Sequence, residues 1–154
     1  PAERPLLAAF TDEAADAYLT YVSEERHAVE VGPDESEHLS SWLGKRLDWE
    51  FVIPDLSEEG FQLVGGRLLP INSQPGAMLL FEDATGQRVS VIIARNNGMS
   101  DTAWQLARHE DLGTYYWIDG PRSYAISGRL PDPELRAVTS RVYAAFGEWP
   151  ENYR

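Results

Sequence analysis

Two segments near the start of the chain place their apolar residues at helical spacing. The first runs from about residue 11 to 26, with Thr11 as a capping hydroxyl and acidic residues in the first turn. The second begins at Asp34, which forms a capping box with Glu37. The buried stripe of this second helix is predicted to be Leu39, Trp42, Leu43 and Leu47. The two patterns predict two N-terminal helices.

From about residue 51 the period changes, and short apolar runs alternate with turn residues, which is typical of strands. The predicted strands are 61–64, 67–71, 77–83, 88–94, 103–108, 113–119 and 123–129. Gly65 and Gly66 would weaken a regular strand, so we expect a β-bulge or a tight bend there. Because the connections between successive strands are short, the expected topology is an antiparallel meander.

The last element is the clearest helix of the chain. Asp132 is a suitable N-cap, Pro133 fits the first helical position, and one side of the segment is apolar. That side consists of Leu135, Val138, Val142 and Phe146. Together the patterns predict an α+β fold: an antiparallel β-sheet meander with two N-terminal helices and one C-terminal helix. The expected organisation is a linker at 1–10, one domain at 11–147 and a tail at 148–154.

The composition supports a folded domain and limits the classes of partner that the domain is expected to bind. Of the 154 residues, 43% are hydrophobic and 11% aromatic, which is enough for a compact core. The net charge of −12 is concentrated in residues 1–60, which hold 15 acidic and 4 basic residues, whereas residues 61–154 hold 10 and 9. This balance opposes binding to nucleic acid and to anionic lipid, so neither is expected as a partner. No apolar stretch long enough to cross a bilayer and no signal-peptide pattern is present.

Metal chemistry has little support in the sequence. The chain has no cysteine, which excludes disulfides, thiol catalysis and cysteine-bound zinc. His27 and His38, with Glu30 and Glu37 nearby, could bind zinc or copper. Their spacing matches no compact ligand motif, and structural roles compete with metal binding. We therefore predict no metal and no cofactor, and keep His27 and His38 only as a speculative metal pair.

Candidate catalytic groups are few and scattered. His109, Glu110 and Asp111 are adjacent, but neighbours on an extended segment point to opposite faces. Ser123 and Ser127 could share one face of a strand, yet no nucleophile elbow surrounds either serine. Glu82 and Asp83 lie at a predicted hairpin end, where solvated carboxylates are ordinary. No catalytic residue is predicted and the protein is not expected to be an enzyme; a small hydrolase is the remote alternative.

Arginine and aromatic residues are abundant in the predicted sheet. The arginines in question are Arg67, Arg88, Arg95, Arg108, Arg122 and Arg129. Cross-strand pairing with acidic residues is one interpretation, and a protein-contact surface is the other. Tyr115, Tyr116 and Trp117 fit either a core strand or such a surface, and packing into the core is the favoured interpretation.

Several segments together resemble the extracytoplasmic domain of bacterial transmembrane anti-sigma factors. The similarity spans roughly residues 17–146, and the run Val64-Gly-Gly-Arg-Leu-Leu-Pro70 is its most specific part. The other segments are Arg26–Val31, His38-Leu39, Trp42-Leu43, Lys45-Arg46-Leu47, Pro54-Asp55-Leu56, Gly60–Leu63, Phe81-Glu82-Asp83, Gly86-Gln87-Arg88, Tyr116-Trp117 and Tyr124–Gly128. The chain departs from the family pattern at Ala28, Gly44, Asp48 and Phe81.

This resemblance implies a membrane-anchored regulator of transcription, of which the chain is the periplasmic sensor. In such regulators a cytoplasmic module, often zinc-binding, holds an extracytoplasmic-function sigma factor inactive, and one membrane helix follows it. Neither part lies in this sequence, so contact with the sigma factor and with the inner membrane would be made by other segments. Residues 1–10 would then be a juxtamembrane linker. A second periplasmic protein or a protease is the expected partner, in signal transduction during envelope stress.

The resemblance also suggests how a signal could pass through the domain. Binding at the sheet surface would change the docking or order of the first helix, which leads to the membrane segment. Such binding shifts an equilibrium only by its differential affinity for the two states. The alternative from the residues themselves is a periplasmic metal-binding sensor that uses His27 and His38.

Overall fold

The computed structural model describes residues 3–21, 36–48, 50–96 and 98–146. Within these ranges three helices and six strands form, together with a short 3-10 turn at Ser57–Glu59. They are, in chain order, α1 (Glu3–Tyr21), α2 (Ser36–Leu47), β1 (Phe61–Ile71), β2 (Gln74–Asp83), β3 (Arg88–Arg95), β4 (Thr102–His109), β5 (Leu112–Asp119), β6 (Arg122–Gly128) and α3 (Asp132–Phe146). None of the described helices is long and apolar enough to span a membrane.

The six strands form one antiparallel sheet in the order β1-β2-β3-β6-β5-β4. It consists of two three-stranded meanders, joined where β3 pairs with β6 and Val91 lies opposite Ile126. The predicted α+β class, with an antiparallel sheet and helices at both ends, is confirmed. Between β3 and β4 the chain crosses from the centre of the sheet to its edge, so these two successive strands are not neighbours.

Helices cover both faces of the sheet, which produces three layers. On one face α2 and α3 pack over a large apolar cluster that includes Leu79, Val91 and Trp117. On the other face α1 packs over a smaller cluster that includes Met78 and Ile92. Successive residues of the central strands point to opposite faces, so strands buried on both sides are apolar at nearly every position.

A bulge in β1 decides which of its side chains meet which helix. The register with β2 shifts between Leu63 and Gly65, which confirms the predicted bulge. Before the bulge, Leu63 packs with the α2/α3 cluster; after it, Leu68 does so and Leu69 packs with the α1 cluster. Gly65 has a φ of 152°, which a side chain would oppose. The single strand Phe61–Ile71 replaces the two strands predicted at 61–64 and 67–71, because the bulge bends the ladder without ending it.

The predicted start of the first helix at Thr11 is wrong. The described part of α1 already begins at Glu3, and Thr11 lies inside the helix, where its Oγ1 donates a hydrogen bond to the carbonyl oxygen of Ala8 at 3.1 Å. Residues 3–10, predicted to be a linker, are helical, and Phe10 is buried against the sheet. Pro5 is tolerated because it lies in the first turn, where its missing N–H is not needed.

The remaining element predictions are confirmed within a few residues. Strands β2 to β6 cover the predicted positions, and α3 begins at Asp132 as expected. Leu135, Val138 and Val142 are its buried side. The second helix is described from Ser36, whereas its predicted cap Asp34, the candidate ligand His27 and the tail 148–154 lie outside the described residues.

Candidate functional site

The two candidate metal ligands are not brought together in the part of the chain that the structure describes. His27 lies outside it, and His38 is an exposed residue of α2. Across residues 3–21, 36–48, 50–96 and 98–146, no group of three or more histidine, aspartate and glutamate side chains is placed to hold a metal ion.

His109 ends β4, Glu110 and Asp111 form the turn to β5, and the three residues differ in their contacts. The Nε2 atom of His109 lies 3.0 Å from Oδ1 of Asp12 in α1. Asp111 Oδ1 accepts a hydrogen bond from Arg129 Nε at 3.2 Å. Glu110 between them has a φ of 60°. These groups therefore attach a turn to its surroundings and do not converge on one point.

Ser123 and Ser127 share one face of β6, as predicted, but that face is covered by α1. Both side chains are buried, at 1% and 0% exposure. The Oγ atoms of Ser127 and Thr114 are hydrogen-bonded to each other at 2.8 Å. Ser123 Oγ has no hydrogen-bond partner within the described structure. Neither hydroxyl is paired there with an imidazole or a carboxylate that could act as a base.

Arg88 makes the cross-strand pairing with an acidic residue that was one of the two interpretations, and Arg108 and Arg129 pair with acidic residues outside the strands. Arg88 Nε lies 3.0 Å from Glu82 Oε1, and Arg108 Nη2 lies 3.7 Å from an oxygen of Asp132. Arg95 donates to the carbonyl oxygen of Leu47 at 2.6 Å, so it caps the C-terminal end of α2. These contacts are intramolecular and structural, and half of the Arg108 side chain is still exposed.

The aromatic strand residues confirm the prediction of a core. Tyr115 and Trp117 are buried under α3, and Trp117 stacks on Tyr124 with a centroid distance of 4.7 Å. Burial, together with the hydrogen bond that Tyr115 donates to the Asp132 carboxylate at 2.5 Å, raises the pKa of Tyr115. Tyr116 points the other way and packs against the α1 cluster.

The carboxylates at the β2–β3 hairpin have local roles. Asp83 Oδ1 accepts hydrogen bonds from the Thr85 hydroxyl at 2.7 Å and from the Thr85 and Gln87 amides at 2.9 Å each. The Thr85 hydroxyl is the main cause of a lowered pKa of Asp83. The group thus acts as the acceptor that closes a turn.

The paired glycines lie at the junction of all three layers. A Cβ atom on Gly66 would be 3.0 Å from Leu39 Cδ1 in α2 and 3.1 Å from Leu79 Cδ2 in β2. The next residue points to the opposite face, where the Arg67 guanidinium lies 4.2 Å from the ring centroid of Tyr21 in α1. Two successive residues of β1 therefore contact α2 on one face and α1 on the other.

The sequence indicated the bulge at this junction but not the contacts that follow from it. The signal was the glycine pair inside an apolar strand pattern. Without the bulge, Arg67 would have pointed to the same face as Leu63 and could not have reached α1. The arrangement couples the positions of two helices and offers no reactive group.

Polar contacts at the rim attach α1 to the sheet. The β1–β2 turn has Asn72 and Ser73 at φ values of 51° and 61°. Its Asn72 amide donates to Glu13 Oε2 at 2.8 Å, and the Asn72 side chain donates to the carbonyl oxygen of Leu6 at 3.1 Å. Tyr18 donates its hydroxyl to the Arg88 carbonyl oxygen at 3.3 Å, and burial raises the pKa of Tyr18.

An open cleft of about 590 Å³ lies beside the C-terminal end of α2. It is lined by Ser40, Ser41, Gly44, Lys45, Asp48, Glu50 and Phe51. Ser40 donates to the carbonyl oxygen of Phe51 at 2.5 Å, which engages its hydroxyl in holding the helix to the following segment. The cleft is therefore a surface feature next to the junction. The Ser40 hydroxyl that lines it is already engaged in a structural hydrogen bond.

Comparison with known proteins adds no family to these observations. No protein-family model matches the chain, and no curated protein matches it either.

Proposed function

We propose that this domain is the periplasmic sensor of a membrane-anchored anti-sigma factor, and that it relays an envelope signal without chemical catalysis. The proposal rests on the resemblance of residues 17–146 to such domains. The observation that carries it is the junction at Gly66 and Arg67, since the most specific segment of that resemblance is also the segment that contacts α1 and α2 from one strand. A segment that contacts two helices from one strand suits a domain that transmits a state.

In this proposal the docked α1 corresponds to the state that retains the sigma factor. An envelope protein or other signal that binds the domain would favour a state in which α1 is displaced. Because α1 is the first element of the domain, its displacement would reach the preceding membrane segment directly and would change the grip on the sigma factor or expose a site to a protease. The size of the response is bounded by the difference in affinity of the signal for the two states.

Replacing Arg67 with alanine tests this function in the full-length regulator. The substitution removes the cation–π contact with Tyr21, which is worth about 0.5–2 kcal/mol, and so favours displaced α1. We expect sigma-dependent transcription in the absence of the signal to rise several-fold, measured with a reporter gene behind a promoter of the cognate sigma factor.

Arg46→Ala is the matched control for this test. Its guanidinium lies 5.1 Å from the ring centroid of Trp42, so the contact removed is of the same kind but lies within α2. The control should leave basal transcription unchanged. Equal transcription in wild type and Arg67→Ala would contradict the role of the junction. Absence of a membrane span and a sigma-binding module from the polypeptide that carries this domain would refute the anti-sigma assignment itself.

A further inference from the structure

The two faces of the sheet differ in what their helices pack against. The face under α2 and α3 is a continuous apolar cluster with large side chains from both helices. Under α1, three of the buried helix residues are alanines, Ala14, Ala15 and Ala17. They lie beside the fully buried Phe10 and Tyr18, and Leu6, Leu7 and Tyr21 are partly buried. Each buried alanine removes less apolar area from water than a buried leucine or valine would, so these three positions contribute little to holding α1 on the sheet.

The sheet surface under α1 also carries a row of hydroxyl groups. Ser90 in β3 lies opposite Ser127 in β6, which lies opposite Thr114 in β5. These positions alternate with residues of the α2/α3 cluster, so they point towards α1. All three side chains are fully buried. A second serine of β6, Ser123, lies on the same face.

Two of these hydroxyls lack a hydrogen-bond partner in the part of the chain that the structure describes. The hydroxyls of Ser127 and Thr114 are hydrogen-bonded to each other at 2.8 Å. The Oγ atoms of Ser90 and Ser123 are buried and make no hydrogen bond within the described structure. A buried hydroxyl without a partner regains its hydrogen bonds as soon as water reaches it, so each of these serines stabilises any state in which the face is open.

We propose that α1 is a reversible latch, and that Ser90 and Ser123 set how often it opens. The α2/α3 layer holds the sheet together, while the hydroxyls favour hydration of the α1 face and keep the latch easy to release. Released from the sheet, a single 19-residue helix is only marginally stable in water, so its amides exchange when the latch opens. The inference deepens the proposed function, on which its link to signalling rests, by naming the moving element and the groups that tune it.

Hydrogen exchange of backbone amides, measured by NMR on this 154-residue chain, tests the latch directly. In wild type, amides of α1 should exchange through a shared opening that is more frequent than global unfolding, which governs β3 and β6. Ser90→Ala and Ser123→Ala should each reduce the α1 opening about 5- to 30-fold, because alanine gains nothing from water.

Two further variants give the experiment its controls. Ser127→Ala leaves the Thr114 hydroxyl buried without its partner, so α1 should open more often, the opposite sign to Ser90→Ala. Val91→Ala, on the α2/α3 face, should speed global exchange and leave the α1 opening unchanged, since Val91 stays covered when α1 is released. This contrast separates the latch from a general change in stability.

Two results would overturn the inference. One is exchange of α1 amides at the same rate as those of β3 and β6, which would mean that the helix leaves only on global unfolding. The other is an α1 opening that Ser90→Ala and Ser123→Ala leave unchanged or increase. Both outcomes are read on the domain alone, so they are independent of whether a sigma factor is bound elsewhere in the protein. In the reporter assay, a functional latch predicts weaker induction for Ser90→Ala.

Discussion

Adding a single methyl group at Gly66 is the sharpest test of how α2 is attached to the sheet. The Cβ atom of Gly66→Ala would lie 3.0 and 3.2 Å from the two Cδ atoms of Leu39 and 3.1 Å from Leu79 Cδ2. Both leucines are fully buried, so they have little room to move. Gly66 does not have a positive φ, so alanine causes no backbone strain there and the effect is one of packing.

The expected magnitude follows from two opposing terms. Overpacking a buried site costs about 1–3 kcal/mol, whereas replacing glycine at an unstrained position stabilises by about 0.4–1 kcal/mol through the unfolded chain. We therefore expect Gly66→Ala to lower the free energy of unfolding by about 0–2.6 kcal/mol, with a central value of about 1.3 kcal/mol, measured by urea denaturation followed by tryptophan fluorescence. The m-value should stay unchanged, because the variant and the wild type expose the same amount of surface on unfolding.

A double-mutant cycle with Leu39→Ala assigns the effect to the contact. Alone, Leu39→Ala leaves a cavity and should cost about 2–5 kcal/mol. In that background the added methyl group has space, so Gly66→Ala should be neutral or stabilising, with a coupling energy of about 1–3 kcal/mol. If the losses of unfolding free energy of the two single variants add within about 0.5 kcal/mol, the claim that α2 packs on this glycine through Leu39 is refuted.

Gly60→Ala is the matched control for backbone effects in the same strand region. Gly60 has a φ of 87° and open space around its Cβ position, so alanine there is strained but meets no neighbour. We expect a loss of about 1 kcal/mol that does not change when Leu39 is replaced. A coupling of Gly60 with Leu39 comparable to that of Gly66 would show that the cycle reports backbone strain and not packing.

Two other predictions concern turns. Ser73→Gly should raise the free energy of unfolding by about 0.5–1 kcal/mol in urea denaturation, because Ser73 has a φ of 61° that glycine adopts without strain; a loss of stability would mean that its side chain is needed. Asp83→Asn should make the free energy of unfolding fall less steeply as the pH is lowered. The folded pKa of Asp83 is lowered, chiefly by the Thr85 hydroxyl, so its contribution is complete above the unfolded value near 3.9 and is lost as pH falls through the folded value. Denaturation between about pH 2 and 5 measures this, and identical pH profiles of variant and wild type would contradict it.

Element types could be predicted from local patterns because each depends on residues close in sequence. The helix at Asp132–Phe146 combines a cap, a proline at the start and one apolar side within a few turns. Glycines inside a strand pattern likewise indicated the bulge. The start of α1 was missed because Thr11 resembles a cap, while the stripe that includes Phe10 continues ahead of it and meets the sheet.

The candidate site could be predicted only in part. The most specific part of the resemblance is the segment from Val64 to Pro70, and nothing in its composition suggested chemistry. Leu39 packs on Gly66, and Arg67 contacts Tyr21. Each of these contacts joins residues far apart in the chain. The unsatisfied hydroxyls of Ser90 and Ser123 were equally hidden, because an alternating strand pattern does not say what lies above a serine.

By itself, then, the sequence determined the kind and approximate positions of the elements, the apolar central strands and the lack of cysteine chemistry. Only the tertiary structure decided that β4 pairs at the edge with β5 alone, that the bulge turns Arg67 towards α1, and that the two faces receive unequal helices. The physical reason is that hydrophobic periodicity reports which side chains leave water, whereas pairing and layer order depend on which distant surfaces are available to cover them.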